Sequence, residues 1–407
     1  MKTISFPLLL DGATGTMLQN AGMPAGVSTE AWVLENPDAL RALHDAYRRA
    51  GSDAVLAPTF SANRLSLAQH GVDLPVEEVN RRLLDLTRQG VGPDVLIGGD
   101  MTSTGSMIEP LGELSFEELI QIYRQQAEAL VAAGADFLML ETLTSLTDAR
   151  AGLLAWRSVT DRPVFVSLTC GENGRTFTGT DAAAALVTLQ AMGASAVGLN
   201  CSAGPDMLSG IIARMAPYAR IPLLAKPNAG MPQTLEGRAV YSCGPEEFAS
   251  YVPELARRGV QIFGGCCGTT PDHIAALRQA LDDLPSDGPL PAEEGVFCAT
   301  DRQIFPLNPD MDKSDPIRPG EDFEEDAMEA DPDELFRVVI DSEEALDCFI
   351  QGSSYLRAPL CVIPEGPELL EKTLRAWQGL ACCEQDRVTP GEDLNRLCGT
   401  YGLTVLS

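Results

Sequence analysis

The sequence predicts a (β/α)8 TIM-type barrel followed by an acidic linker and a small C-terminal α/β unit. Three observations carry this. Eight short apolar runs recur between residues 7 and 268, each continuous rather than alternating, as parallel strands buried on both faces must be. Each is followed by a segment with helical periodicity or helix-start residues. The eight units fill about 275 residues, the size of a closed barrel, and closure removes both sheet edges. A doubly wound open sheet is the rival, and eight evenly spaced units favour the closed form.

The first run, PLLLD (7–11), leads into Asp11-Gly12-Ala13-Thr14-Gly15-Thr16. Pro37 behind Asn36 sits where a first helical residue belongs, and Gly51 closes that helix. The second run, AVLAPTF (54–60), ends in Thr59-Phe60, and the third, VLIGGDM (95–101), leads into a Gly/Ser/Thr-rich loop, 102–106. Ser115-Phe116-Glu117-Glu118 is a capping box, after which Phe116, Leu119, Tyr123, Ala127 and Leu130 share one helix face. Gly134 ends this helix before FLMLET (137–142), which delivers Glu141-Thr142. VFVSLT (164–169) brings Cys170, and Gly193 closes a helix before AVGLNCS (196–202), which brings Asn200-Cys201. PLLAKPN (222–228) brings Lys226-Pro227-Asn228, and IFGGCCG (262–268) brings Cys266-Cys267. Pro245 and Pro271 mark the helix starts on either side of that last strand.

Residues 1–290 are therefore expected as the barrel. Residues 291–334 include the run DMDKSDPIRPGEDFEEDAMEADPDE (310–334), acidic and poor in apolar residues, and read as a linker or arm. Residues 335–407 read as strand, helix, strand, helix, strand, helix, strand, a small α/β unit. In it Cys382-Cys383 is expected as strand core.

Composition narrows the function. A formal net charge of −29 disfavours nucleic acid and anionic membrane surfaces as partners. No apolar run has the length of a membrane span. The first residues lack a signal-peptide pattern, and the 11 cysteines are an odd, scattered number, so the expected setting is a reducing cytoplasm in which clustered thiols mean metal or catalysis. Neither G-x-x-x-x-G-K-[ST] nor G-x-G-x-x-G occurs, so no nucleotide fingerprint is present.

Active sites of such barrels lie at the C-terminal ends of the strands. Three cysteines, Cys201, Cys266 and Cys267, arrive there from two strands. Three thiolates suit a soft or borderline metal, zinc being the commonest, and three protein ligands with a vacancy is the catalytic form. Glycines 264, 265 and 268 let the backbone turn so that neighbouring sulfurs converge. Cys170 and Cys243 each remain a fourth ligand or a bystander. His273, on the first turn of the last helix, is expected as a surface histidine; with only three histidines a histidine-based zinc hydrolase is disfavoured. A thiolate-bound zinc takes up another thiol and holds it deprotonated. Asp11 and Glu141 are placed to grip an ammonium group, and the amides around Gly12–Gly15 to donate to a carboxylate. An amino acid bearing a thiol satisfies all of these parts.

Asp11-Gly12-Ala13-Thr14-Gly15-Thr16, Glu141-Thr142, GLNCSAGP (198–205), KPNAGMP (226–232) and GGCCGTTPDHI (264–274) together resemble the homocysteine S-methyltransferase family. Within it they look most like the homocysteine-binding barrel of cobalamin-dependent methionine synthases, over residues 4–284. The resemblance implies zinc on Cys201, Cys266 and Cys267, homocysteine sulfur at the open position, and substrate contacts from Asp11, Gly12, Thr59, Glu141 and Asn200. Members using small sulfonium or betaine donors more often carry a basic residue where this chain has Gly268, which favours methyl supplied by methylcobalamin on a separate corrinoid carrier protein. The alternatives are a free sulfonium donor, S-methylmethionine or S-adenosylmethionine, and a thiol-binding zinc protein without turnover. Two departures stand out. Methionine synthases usually read Glu-Thr-Asn-Thr-Phe at the second strand, where this chain has Leu56-Ala57-Pro58-Thr59-Phe60, and no D-x-H-x-x-G cobalamin-ligand motif occurs. The stretch 359–379 echoes one βα element of a folate-binding barrel.

Overall fold

The computed structural model describes residues 3–109, 112–235, 238–285, 291–308 and 310–406. They divide into two compact units, 1–178 with 195–291, and 179–194 with 292–407.

The first unit holds strands β1 (Leu8–Leu9), β2 (Ala54–Leu56), β3 (Leu96–Met101), β4 (Phe137–Leu143), β5 (Val164–Leu168), β6 (Ala196–Asn200) and β7 (Leu223–Lys226), a hairpin of β8 (Gln233–Leu235) and β9 (Arg238–Val240), and β10 (Val260–Phe263). Eight of these form one parallel sheet in the order β1-β10-β7-β6-β5-β4-β3-β2. Asp53 joins the two ends: its N–H donates to the Leu9 carbonyl at 2.8 Å, and the Leu9 N–H donates to its Oδ2 at 2.8 Å. The expected (β/α)8 barrel is thus observed. The helix signals hold as well. Pro37, Pro245 and Pro271 are first helical residues, and Ser115 and Glu118 form the capping box of helix Phe116–Ala132. Gly51, Gly134 and Gly193 take positive φ.

The barrel interior is filled from below. Leu8, Leu10, Ala54, Leu56, Leu96, Phe137, Met139, Phe165, Ala196, Leu224 and Ile262 form one buried cluster, with the Phe137 and Phe165 rings 4.9 Å apart. Strand residues alternate faces with period two. Counting upward from this floor, the next inward positions are polar: Asp100 above Leu96, Glu141 above Phe137 and Met139, Asn200 above Ala196, and Lys226 above Leu224.

The second unit has a sheet of four parallel strands in chain order and a hairpin. The hairpin is β11 (Val296–Ala299) with β12 (Ile304–Leu307); the sheet is β13 (Phe336–Ile340), β14 (Leu360–Pro364), β15 (Cys382–Glu384) and β16 (Thr404–Leu406). Residues 291–334, expected as a linker or arm, carry that hairpin and helix Phe323–Glu329, and Lys313 and Ile317 bridge to Leu335 and Val338. The cause is a sparse set of apolar anchors among the acids: Cys298, Phe305, Phe323 and Ala327 are all buried. Cys298, Leu335, Cys361 and Cys382 form this unit's core cluster. Helix Ala182–Ala191, which follows β5 in the chain, groups with this unit and packs beside the hairpin. Among the described residues, no helix is long and apolar enough to cross a membrane.

Candidate active site

A cavity of about 370 Å³ opens at the C-terminal ends of the barrel strands. Six of the eight predicted site residues line it: Asp11, Gly12, Glu141, Cys201, Cys266 and Cys267.

The sulfurs converge for backbone reasons. Cys201 follows β6 at φ 53°, a conformation rare for a non-glycine residue and costing about 1–3 kcal/mol. The segment after β7 brackets the two thiol loops. The Cys201 N–H donates to the Lys226 carbonyl at 3.3 Å, the Cys266 N–H to Pro227 at 2.8 Å, and the Ala229 N–H to Cys267 at 3.0 Å. Thr269 stitches the β10 loop to the β1 loop, its hydroxyl donating to the Cys266 carbonyl at 2.8 Å and accepting from the Ala13 N–H at 3.0 Å. Gly12 is required there, because a Cβ on it would come within 2.8 Å of both the Thr269 hydroxyl and the Tyr47 hydroxyl.

Cys201 Sγ and Cys267 Sγ lie 3.6 Å apart, and all three sulfurs fall within 4.8 Å of one another. A tetrahedral zinc with Zn–S bonds of about 2.3 Å needs sulfurs about 3.8 Å apart, so the trio fits that ion. Among the described residues it is the one group of cysteines, histidines and carboxylates at such spacing; Cys170 and Cys243 are not part of it. His273 differs from expectation. It is buried, its Nδ1 accepts from the Thr270 N–H at 3.2 Å, and its Nε2 lies 3.0 Å from the Cys243 carbonyl. It closes the start of helix Pro271–Asp282 as the third helical residue, the partner of Thr270 in a capping box, so both ring nitrogens are engaged in structure. Cys267 is held down toward the thiolate by S–H donation from Cys201 and Cys266, and the Tyr241 hydroxyl adds to this. Tyr241 itself is pushed up to about 12, by burial first and then by Cys267.

Below the thiols lie the charges. Lys226 Nζ donates to Glu141 Oε2 at 2.6 Å, with the two residues 2% and 8% exposed. Burial works against the lysine's charge, but Glu141, Asp11 and Asp100 outweigh it and its pKa goes up. Burial raises Asp11 to about 7 despite Lys226, and raises Asp100 well above the usual carboxylate range, with Glu141 adding to the effect. Asp11 Oδ2 accepts the Leu56 N–H at 2.9 Å.

Thr59 and Asn200 stand behind the wall. The Thr59 hydroxyl donates to the Asp100 carbonyl at 2.8 Å and accepts its N–H at 3.0 Å. Asn200 Oδ1 accepts from the Thr142 N–H at 2.9 Å, and its Nδ2 donates to Thr142 Oγ1 at 2.8 Å, fixing Thr142 at φ 60°. Asn200 Nδ2 also reaches Cys266 Sγ at 3.8 Å. Glu30, His70, Asp100, the Glu141–Lys226 pair and Tyr241 are among the features that sequence reasoning did not assign to the site.

Residues 8–281 match the family model described as homocysteine S-methyltransferase. The chain is 31% identical over 302 residues to methionine synthase of Mycobacterium leprae (strain TN), covering 70% of this chain and 25% of that protein. It is 30% identical over 298 residues to methionine synthase of Mycobacterium tuberculosis, covering 67% and 24%. The chain thus spans about a quarter of the length of these curated relatives. Among solved structures it is similar to the homocysteine methyltransferase MmuM from Escherichia coli. The metallated form is 26% identical with a TM-score of 0.56, and the oxidized form 25% identical with a TM-score of 0.57. Each match covers 67% of this chain and 95% of that one.

Proposed function

The chain belongs to the homocysteine S-methyltransferase family, and from that premise we propose that it is a zinc-dependent enzyme that methylates the thiol of homocysteine to form methionine, taking the methyl group from a separate methyl-corrinoid protein. The observation that carries the reading is the juxtaposition of three metal-spaced sulfurs with buried carboxylates in one cavity. Cys201, Cys266 and Cys267 are the zinc ligands in this reading. Bound there, zinc supplies a Lewis-acidic position at which a thiol stays deprotonated at neutral pH.

The remaining work falls to the chain's own groups. Asp11 and the acidic floor around Glu141 hold the substrate ammonium, and Gly12 keeps the β1 loop close enough to narrow the cavity. Lys226 neutralises Glu141, so the floor is acidic without being overloaded. With the thiolate held in line with the donor's methyl carbon, the S–CH3 bond would form as the bond between methyl and donor breaks, the electron pair of that bond leaving with the donor. Orientation of this kind is worth several powers of ten in rate.

The corrinoid donor is favoured over a sulfonium by residue 268. Gly268 has φ +80°, and a Cβ there would lie 2.2 Å from the Tyr241 ring. A basic side chain, as in the sulfonium-using branch, has no room without displacing Tyr241. A donor panel tests this. Zinc-loaded protein and homocysteine should yield methionine, read by mass, with a methylcobalamin-loaded protein or free methylcobalamin. S-methylmethionine and S-adenosylmethionine should give none. Methionine from a sulfonium without corrinoid would reverse the donor assignment, and homocysteine binding without methionine under any condition would leave a binding protein. Cys266→Ala should lose both zinc and turnover; full zinc retention would remove Cys266 from the ligand set.

A further inference from the structure

We propose that Asp100 is a substrate-positioning residue which, together with Asp11, receives the ammonium group of the amino-acid substrate. This rests on the homocysteine reading above and adds to it a residue that the family motifs do not point to.

Four buried carboxylates, Asp11, Glu30, Asp100 and Glu141, share the cavity with one lysine, Lys226. Glu30 is satisfied within the protein, accepting from the Ser28 hydroxyl at 2.8 Å and from the Ser61 N–H at 2.7 Å. Glu141 is already answered within the protein by Lys226 at 2.6 Å. Asp11 Oδ2 takes the Leu56 N–H, but Asp11 Oδ1 and Asp100 Oδ1 are buried with no hydrogen-bond partner. An acceptor withdrawn from water without a donor costs free energy that a ligand donor would recover. Two such oxygens, on residues that both line one cavity, specify the missing group: a cation with more than one N–H or O–H to give.

The carboxylates do not themselves form a metal cage. Among the described residues, the group at ligand spacing is the thiol trio. An ammonium supplies three N–H donors and one positive charge, which suits the two orphan oxygens and leaves one N–H over for Glu141 beside Lys226. Asp100 is also held for the purpose. Thr59 clasps its backbone at both N–H and carbonyl, so its side chain is presented from a rigid strand, as positioning requires. Burial favours the protonated form of both aspartates despite Lys226, and an ammonium beside them works against that preference.

The test compares two thiols on the zinc-loaded full chain by titration calorimetry: L-homocysteine, and 4-mercaptobutyrate, which keeps the thiol and carboxylate but lacks the amine. Wild type should bind homocysteine at least tenfold more tightly. Asp100→Asn, near-isosteric and leaving the Thr59 bonds to the backbone intact, should weaken homocysteine by about 10- to 100-fold while leaving 4-mercaptobutyrate within about twofold. Asp100→Ser serves as the second variant should the first not fold, with zinc content and melting temperature as controls. Equal losses for both ligands would make Asp100 merely structural and overturn the proposal, as would an unchanged homocysteine affinity. Wild type that holds zinc but binds neither thiol would instead overturn the homocysteine reading itself, and this outcome is seen before any variant is examined.

Discussion

His44 sits fully buried in helix Pro37–Arg49, and neither ring nitrogen has a hydrogen-bond partner. Burial pushes the imidazole down to about 4, against a small opposing pull from the Leu56 backbone. Its folded value therefore lies below the unfolded value of about 6.5. The unfolded chain binds the extra proton as pH falls, so stability present above pH 6.5 is lost on the way down to pH 4. At pH 5 the loss through this one residue is about 2 kcal/mol. Asp11 has the opposite sign. Its value is raised to about 7, so its contribution is complete below the unfolded value near 3.8 and disappears as pH rises through 7. Comparing variants separates the two. His44→Leu should be more stable than wild type at pH 8 by about 1–3 kcal/mol, because it removes two unsatisfied polar atoms. In urea titrations that advantage should widen by about 2 kcal/mol at pH 5; a constant gap would mean that His44 is solvated in the folded protein. Nothing in the sequence around residue 44 marks it as dry. A histidine four residues after Leu40 on an amphipathic helix reads equally well as half-exposed, and only the packing of the helix decides.

At the scale of elements, what was readable followed from local rules. The Ser115–Glu118 capping box is a four-residue signal, and it formed: Ser115 Oγ accepts from the Glu118 N–H at 3.3 Å, and Glu118 Oε2 accepts from the Ser115 N–H at 3.1 Å. Ser115→Ala should cost about 1 kcal/mol in urea unfolding, while the reciprocal Ser115→Asp should be near neutral because aspartate caps as well. An equal loss in both would mean that the box does not limit this helix. The strand ends show why the rest stayed hidden. Asp11, Glu141 and the cysteines are legible because each ends an apolar run or clusters by type. Asp100 and Lys226 end apolar runs too, but strands buried on both faces show no alternation, so the sequence does not say which parity points into the barrel. Once Leu96 and Leu224 are seen in the interior cluster, period two puts Asp100 and Lys226 inward directly. The pairing of Lys226 with Glu141 spans 85 residues and has no local signal at all. Helix Ala182–Ala191 has a local signal of its own: AAAALVTLQA has only Thr188 and Gln190 as polar residues, and a helix apolar almost all round is a buried one. Residues 182–189 are all buried.

At the scale of the whole molecule the dominant fact is charge. There are 58 acidic and 29 basic side chains, and no part of the proposed chemistry needs that excess. A folded chain of this mass has a surface of about 15,000 Å², which leaves one unbalanced negative charge for roughly every 500 Å², about 23 Å apart. The Debye length is about 30 Å at 0.01 M salt and about 8 Å at 0.15 M. At low salt, neighbouring excess charges therefore repel across the surface, and at physiological salt they are screened. Self-repulsion of this kind destabilises the compact state. The surface ion pairs, such as Arg41–Asp38 and Arg81–Asp85, pull the other way, since screening weakens them, but each contributes little, about 0.2–1 kcal/mol. With a twofold excess of acids the repulsive sum is the larger. The melting temperature should accordingly rise between 0.01 and 0.15 M sodium chloride and then level off, because beyond that range the screening length is already shorter than the charge spacing. The same rise should appear with potassium chloride, which screens equally. A melting temperature that falls with salt would mean that the ion pairs outweigh the net charge.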